Sequence, residues 1–324
     1  WKEKLPWRAQ EHFGVIAHPA FDIGVAELIF PIWQGWTRTL ITKEILANAD
    51  EMIRTFNEIT AFHMVPTLLA HWIDTIPSDQ KPRIIMTGGD RVPPSIQSSL
   101  KRKFQAAILF QFYGPSECSV LTSGFENKGQ FPMETLPLGT PFSNASIHIV
   151  TPELRPCSPF EEGEIVISGP AVGLGYANET SEAFFTVNDE PAYRTGDRGL
   201  MDTSGQLYFR GRTDQQIKIN GQRIELTRIE QALIQWSKIE RWCIVYKAPI
   251  LSAFYLGNSE ELPPKDGLFG LLPAYAIPQL FEGLKEFPTN KNGKIDYGAL
   301  GLHLDRLVAN QPVKSLDIAY QALF

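Results

Sequence analysis

Between residues 61 and 112 short apolar runs alternate with helical stretches, and this alternation constrains the fold more than any other feature of the chain. Residues 61–66 (Ala-Phe-His-Met-Val-Pro) read as a short buried strand that ends at Pro66, followed by a helix over 67–75. Residues 82–88 form a second strand, which runs into the Gly88-Gly89 turn. Pro93-Pro94 opens another helix to about 104, because proline suits the first helical turn. Residues 106–112 are a third strand. Strands joined in this way through helices pair as a parallel, crossover-connected sheet. Upstream, 27–36 and 46–59 read as helices, with Ile45, Met52, Ile53 and Phe56 at helical spacing.

The pattern changes after about residue 120. Short strands at 145–150, 163–168 and 206–210, separated by Gly, Pro and Asn, predict a β-rich subdomain. A third region starts near 213. It has a hairpin-like pair around Asn220-Gly221, a helix at 226–236, strands at 242–247 and 252–256, and a basic, glycine-containing tail at 288–296. The expected fold class is α/β, with a parallel-sheet core subdomain plus a β-rich subdomain over 1–212 and a small α+β C-terminal domain over 213–324.

Charge and cysteine usage narrow the function classes. The 324 residues carry 30 Lys+Arg against 36 Asp+Glu, a net charge of -6 with no basic block, which argues against a nucleic-acid partner. Cys118, Cys157 and Cys243 lie far apart and form no C-x-x-C, so neither a disulfide framework nor a zinc site is expected, and a reducing, cytoplasmic setting is. No run reaches the ~18 apolar residues of a membrane span; the closest, 268–281, is broken by Pro273 and Pro278. The first residues hold no apolar signal core, and Trp1 in place of a Met reads as the edge of a fragment or of a processed chain.

Four segments can carry chemistry. In Phe110-Gln-Phe-Tyr-Gly-Pro-Ser-Glu117 a strand stops where open α/β sheets bind ligands. There Tyr113 can stack on a flat ligand, the Gly114-Pro115 backbone can approach it closely, and Glu117 can hold a magnesium ion through one carboxylate oxygen; a solvated turn is the alternative. In Tyr193-Arg-Thr-Gly-Asp-Arg198 the carboxylate of Asp197 is expected on a turn, where it can accept from two adjacent sugar hydroxyls or simply cap the turn. In the segment Gly211 to Glu225, Arg212 can donate to phosphate or sugar oxygens and Asp214 falls at the junction of two regions, where a hinge would be; an ordinary surface hairpin is the alternative. In Pro288-Thr-Asn-Lys-Asn-Gly-Lys-Ile-Asp296, Lys294 can reach into a cleft as a mobile point charge or stay a solvated loop lysine.

Taken in order and spacing, these segments resemble the adenylate-forming (ANL) superfamily, above all the adenylation domains of nonribosomal peptide synthetases and the D-alanine–carrier protein ligases. Phe21-Asp22, the Gly163-Glu164 and Gly173-x-Gly175-Tyr176 elements, Leu272-Pro-x-Tyr-x-x-Pro278 and Asn292-Gly-Lys294 fall where that family has them, so the likeness spans the chain. It implies ATP-dependent activation of a carboxylate as its acyl-AMP and transfer to the phosphopantetheine thiol of an acyl or peptidyl carrier protein, with neighbouring synthetase domains as further partners and ATP and Mg2+ as cofactors. By motif, Tyr113 and Gly114 would flank the adenine and Glu117 would bind magnesium. Asp197 would hold the ribose with Arg212 beside it, and Asp214 would be the hinge of a mobile C-terminal domain. Lys294 would bridge the substrate carboxylate and the α-phosphate, where a cation delivered by domain closure stabilises the transition state.

The same likeness assigns a substrate pocket. Asp22 would pair with an α-ammonium, which favours an amino acid; its alternative role is to cap a helix beginning near Val25. Ile23, Ala26, His63, Met86, Gly88, Phe112, Val120 and Leu121 would line the rest, and the small Ala26 and Gly88 would make it deep. His63 either donates to a polar or aromatic substrate side chain or is a satisfied core histidine. The family's Ser-, Thr- and Gly-rich phosphate loop has no counterpart in residues 1–20. Two alternatives follow: activation of a keto, hydroxy or aryl acid, and a non-catalytic, degenerate adenylation module. The lining matches no particular amino acid, and oligomeric state is not encoded in any motif.

Overall fold

The computed structural model describes residues 4–76, 82–90, 92, 94–127, 136–178, 180–213, 216–219, 222–237, 239, 241–257, 262–289 and 295–310. The chain divides into two compact units, Trp1–Asp214 and Gln215–Phe324.

The first unit opens with β1 (His12–Val15), α1 (Asp22–Gln34), β2 (Thr37–Leu40), α2 (Lys43–Ala47), α3 (Ala49–Phe56) and β3 (Ala61–His63). It continues through α4 (Pro66–Trp72), β4 (Ile84–Gly88), α5 (Pro94–Lys103) and β5 (Ile108–Tyr113). These strands pair in parallel in the order β2-β1-β3-β4-β5. β3 and β4 are buried throughout and β5 almost so, as expected of parallel strands covered on both faces. β1 and β2 escape a sequence reading because each has four residues and neither follows a clean apolar alternation. The single helix expected over 46–59 is two helices, because the Asn48 side chain accepts from the N–H groups of Asp50 and Glu51 and so starts a new one.

The same sheet continues antiparallel into β6 (Ser123–Glu126) and β7 (Thr140–Pro141), so the change of architecture comes later than residue 120. A five-stranded antiparallel sheet then forms from β8 (Ser146–Val150), β9 (Gly163–Ser168), β10 (Phe184–Val187), β11 (Glu190–Met201) and β12 (Leu207–Arg212). Its core of Ile147, Ile149, Ile165, Ile167, Tyr193 and Leu207 also takes in Tyr113 and Cys118 from the end of the first sheet.

The second unit holds the hairpin β13 (Gln216–Ile219) and β14 (Gln222–Glu225), then α6 (Leu226–Ser237). A three-stranded sheet of β15 (Trp242–Lys247), β16 (Ile250–Leu256) and β17 (Leu280–Leu284) follows, with α7 (Tyr297–Asn310) last. α6 buries Ile229 and Leu233, and α7 buries Leu300 and Leu304. α7 is hidden in the sequence because Gly298 and Gly301 weaken its helical signature.

Candidate functional site

The C-terminal ends of β3, β4 and β5 lie side by side, with His63 opposite Met86 and Gly88 opposite Phe112. After β5 the chain passes Gly114-Pro115 into one 3-10 turn, Ser116–Cys118, and folds back over itself. A Cβ on Gly114 would stand 2.3 Å from the carbonyl oxygen of Val120, so only glycine admits this return. Leu121 N donates to Ser119 O at 2.8 Å. The residue between them, Val120, has φ 74, a strained conformation for a β-branched side chain.

This return brings the expected pocket residues together. Ile23, Met86 and Phe112 share one buried cluster, and Ala26, Val120 and Leu121 pack against it. The rings of His63 and Phe112 are 5.0 Å apart. Next to Gly88 the space is taken by the adjoining strand: Phe112 ring carbons lie 2.6 Å from where a Gly88 Cβ would be. The absent side chain makes room for the neighbouring strand's aromatic ring.

α1 begins at Asp22, not near Val25, so Asp22 is a first-turn acid and Phe21 holds the cap position without a capping side chain. A carboxylate suits that end of a helix. Its Oδ1 accepts from Ile23 N at 2.6 Å, and the Ser116 hydroxyl donates to Oδ2. Asp22 thereby ties α1 to the loop after β5.

Glu27, one turn on from Ile23, is completely buried. Its Oε2 accepts from Ile16 N at 2.7 Å and Ala17 N at 2.9 Å, and its Oε1 lies 2.7 Å from His63 Nδ1. His63 is 2% exposed, and its Nε2 is buried with no hydrogen-bond partner among the described residues. The satisfied core histidine is therefore half of the answer: one ring nitrogen is paired and the other is not. Sequence reasoning missed Glu27. The signal was an acid at i+4 from Ile23, on the helix face that Ile23 turns inward.

Asp197 does not sit on a turn. It lies inside β11, where Gly196 at φ 71 and shifts in register with β9 and β12 mark a bulge; bulges re-aim side chains. Asp197 is 5% exposed. The Tyr113 hydroxyl donates to Oδ2 at 2.6 Å, and the Arg212 guanidinium donates to Oδ1 and, at 3.1 Å, to Thr195 O. Burial, reinforced by the Asp197 charge, pushes the Tyr113 phenol well above its usual range. Tyr113, expected against a flat ligand, has its ring in the core and its hydroxyl on the acid.

Glu117 is half-buried in the 3-10 turn. Tyr176 O–H donates to its Oε1 at 2.7 Å, and Gly173 N donates to its backbone oxygen at 2.8 Å. Burial, then Tyr193 and Glu117, raise the Tyr176 phenol. Among the described residues no three His, Cys, Asp or Glu side chains converge. Asp214 and Lys294 lie outside the described residues, as do Asn220-Gly221 and Asn292-Gly293. Among the described residues no helix is long and apolar enough to cross a membrane.

Comparison with known proteins shows the family and the fold. The AMP-binding enzyme family model matches residues 2–177. Tyrocidine synthase 1 of Brevibacillus parabrevis is 31% identical over 307 residues, covering 90% of this chain and 28% of that protein. A D-alanine–D-alanyl carrier protein ligase of Bacillus licheniformis is 31% identical over 305 residues, covering 86% of this chain and 60% of the ligase. The chain thus spans a fraction of each relative. The Vibrio cholerae adenylation domain AlmE, solved in complex with glycyl-adenosine-5'-phosphate, has the same fold, with a TM-score of 0.82 at 22% identity over 94% of this chain and 61% of that one.

Proposed function

Because the chain belongs to the AMP-binding enzyme family, we propose that it serves ATP-dependent activation of an amino acid and transfer of the acyl group to a carrier protein. In the first step a substrate carboxylate oxygen attacks the α-phosphorus of ATP, the bond to the β-phosphate oxygen breaks, and pyrophosphate leaves. In the second, a phosphopantetheine thiolate attacks the acyl carbon and AMP leaves.

The carrying observation is the set of acids fixed around one strand end. Asp197, held by Tyr113 and Arg212, retains acceptor capacity on each oxygen for ribose hydroxyls. Asp22, oriented by Ser116 and Ile23 N, offers a half-buried carboxylate to an α-ammonium. Magnesium at Glu117 would neutralise charge on the departing phosphates, and Lys294 would do so at the α-phosphate. The printed names of the relatives, a peptide-antibiotic synthase and a carrier protein ligase, support the carrier-bound acceptor.

Amino-acid-dependent ATP–pyrophosphate exchange tests the reading. Exchange with at least one amino acid is expected, reduced about 100-fold by Asp22→Ala, since an unpaired ammonium in a partly desolvated site costs several kcal/mol. Exchange confined to acids that lack the ammonium, and indifferent to Asp22→Ala, would replace the amino acid with a keto, hydroxy or aryl acid. Exchange with no acid at all would leave a degenerate module.

A further inference from the structure

We propose that Glu164 is a positioning residue for nucleotide binding: its carboxylate holds the bulge in β11 that aims Asp197. The proposal rests on the reading of Asp197 as the ribose acid and adds the residue that sets its geometry.

β9 and β11 are in register at Val166↔Arg194 and again at Glu164↔Arg198. Between these pairs Thr195, Gly196 and Asp197 stand opposite a single residue, Ile165. The backbone of one residue cannot partner three, and buried backbone groups left alone are costly. Side chains take over. Thr195 Oγ1 donates to Ile165 O at 2.7 Å and accepts from Asp197 N at 3.0 Å. Gly196 O accepts from Thr213 N at 2.8 Å and from Thr213 Oγ1 at 2.9 Å. Gly196 N donates to Glu164 Oε1 at 3.2 Å. Glu164 thus supplies, from its side chain, an acceptor that the ladder lacks.

Glu164 is itself fixed. It is 9% exposed, and its backbone is paired with β8 on one side and β11 on the other. Its Oε2 accepts from Arg194 Nε at 3.0 Å and from Arg194 Nη2. Arg194 enters the bulge and Gly196 sits at its centre, so one carboxylate spans the stretch that leads to Asp197. A strand that slips by one residue turns its side chains to the opposite face. Without the bond to Gly196 N the bulge can migrate along β11, and Asp197 then leaves Tyr113 and Arg212. The Arg194 side of the carboxylate matters less. That side chain is 39% exposed, and ion pairs that reach water contribute little.

Reach and charge can be separated. Glu164→Gln keeps an oxygen at the same distance along the side chain and loses the charge. Glu164→Asp keeps the charge and is one methylene shorter. Calorimetry compares AMP with the dideoxy analogue that lacks both ribose hydroxyls. In the unsubstituted protein AMP is expected to bind about 100-fold more tightly, and Asp197→Ala to bring that ratio to about one. We expect Glu164→Gln to stay within about threefold of the unsubstituted ratio, and Glu164→Asp to bring it below about tenfold with the affinity for the dideoxy nucleotide unchanged. A ratio that survives in Glu164→Asp, or that falls as far in Glu164→Gln, assigns Glu164 to the ion pair alone and overturns the proposal while leaving the ribose reading intact. Equal binding of the two nucleotides by the unsubstituted protein, binding of neither, or a ratio indifferent to Asp197→Ala overturns the ribose reading and this proposal with it.

Discussion

Two carboxylates, Asp197 and Glu27, are withdrawn from water in the same compact unit, at 5% and 0% exposure, and they are satisfied in different ways. Asp197 has on it a guanidinium from the paired strand β12 and a phenol from the end of β5 in the other sheet. Its charge is neutralised inside the protein, and its geometry is fixed before any ligand arrives. Glu27 has two backbone N–H groups and an imidazole. Its partner ring has a second nitrogen, His63 Nε2, that is buried without a hydrogen-bond partner among the described residues. The first arrangement would offer a proposed ribose a rigid edge. The second leaves a buried polar atom unsatisfied among the described residues.

The comparison breaks most readily at Asp197. Asp197→Ala takes the carboxylate from the Arg212 guanidinium, 13% exposed on its side chain, and from the Tyr113 hydroxyl. Removing one partner of a buried ion pair costs about 3–5 kcal/mol. Urea unfolding should register that loss, together with weakened binding of AMP by calorimetry. The same excision at Glu27 strands no guanidinium, only three N–H donors, and should cost about 2–3 kcal/mol. If the Glu27 variant proved the less stable, the two sites would not differ as argued.

Next in size is an alkaline effect confined to the Asp197 side. In the unfolded chain a phenol ionises near 10. In the folded chain burial and Asp197 hold the Tyr113 phenol protonated well above that. Above about pH 10 the native state therefore keeps a proton that the unfolded state has released, so stability falls as pH rises from there and is fully present below. Tyr113→Phe should lose about 1 kcal/mol at neutral pH, the worth of the hydrogen bond, and should flatten the alkaline decline. Some slope will remain, because burial raises Tyr208 as well. Stability curves across pH 8 to 11, in round figures of about that range, would be decisive: parallel slopes in the two proteins would show that Tyr113 is not the group responsible.

Much of this arrangement was legible in the sequence because it rests on short-range signals. Apolar runs and Pro-Pro and Gly-Gly punctuation mark β3, α4, β4, α5 and β5 in the right order. The joint burial of Met86 and Phe112 follows from strand register. What escaped depends on tertiary contact. Nothing local to Asp197 says that Gly196 puts a bulge in a 12-residue strand and not a turn after it. Gly88 reads as empty space until β5 lays Phe112 across it. Glu27 reads as one more helix acid until the backbone at Ile16 and Ala17 turns both N–H groups onto it. The side-chain partners of Glu27 and Asp197 are chosen by the fold, and they come from 10 or more residues away.

The smallest effect concerns a third carboxylate, Glu117, which lies between the two extremes. It is half-buried, and the described side-chain donor to its Oε1 is Tyr176 at 2.7 Å, itself 39% exposed. Two consequences of that hydroxyl oppose each other. As a donor it draws charge from Oε1 and weakens that oxygen as a metal ligand. As an anchor it fixes the carboxylate rotamer, while Gly173 N fixes the backbone carbonyl of the same residue. A carboxylate has a second oxygen with which to meet a cation, so the first effect is small and positioning dominates. A partly exposed hydrogen bond contributes about 0.5–1.5 kcal/mol. Tyr176→Phe should therefore raise the magnesium concentration needed for half-maximal pyrophosphate exchange by about three- to tenfold, with kcat at saturating magnesium little changed. A merely structural role for Tyr176 would lower kcat at every magnesium concentration and leave the midpoint where it was. A lowered midpoint would mean that the phenol competes with the ion, and the ranking of the three carboxylates by how firmly the protein holds them would have to be redrawn.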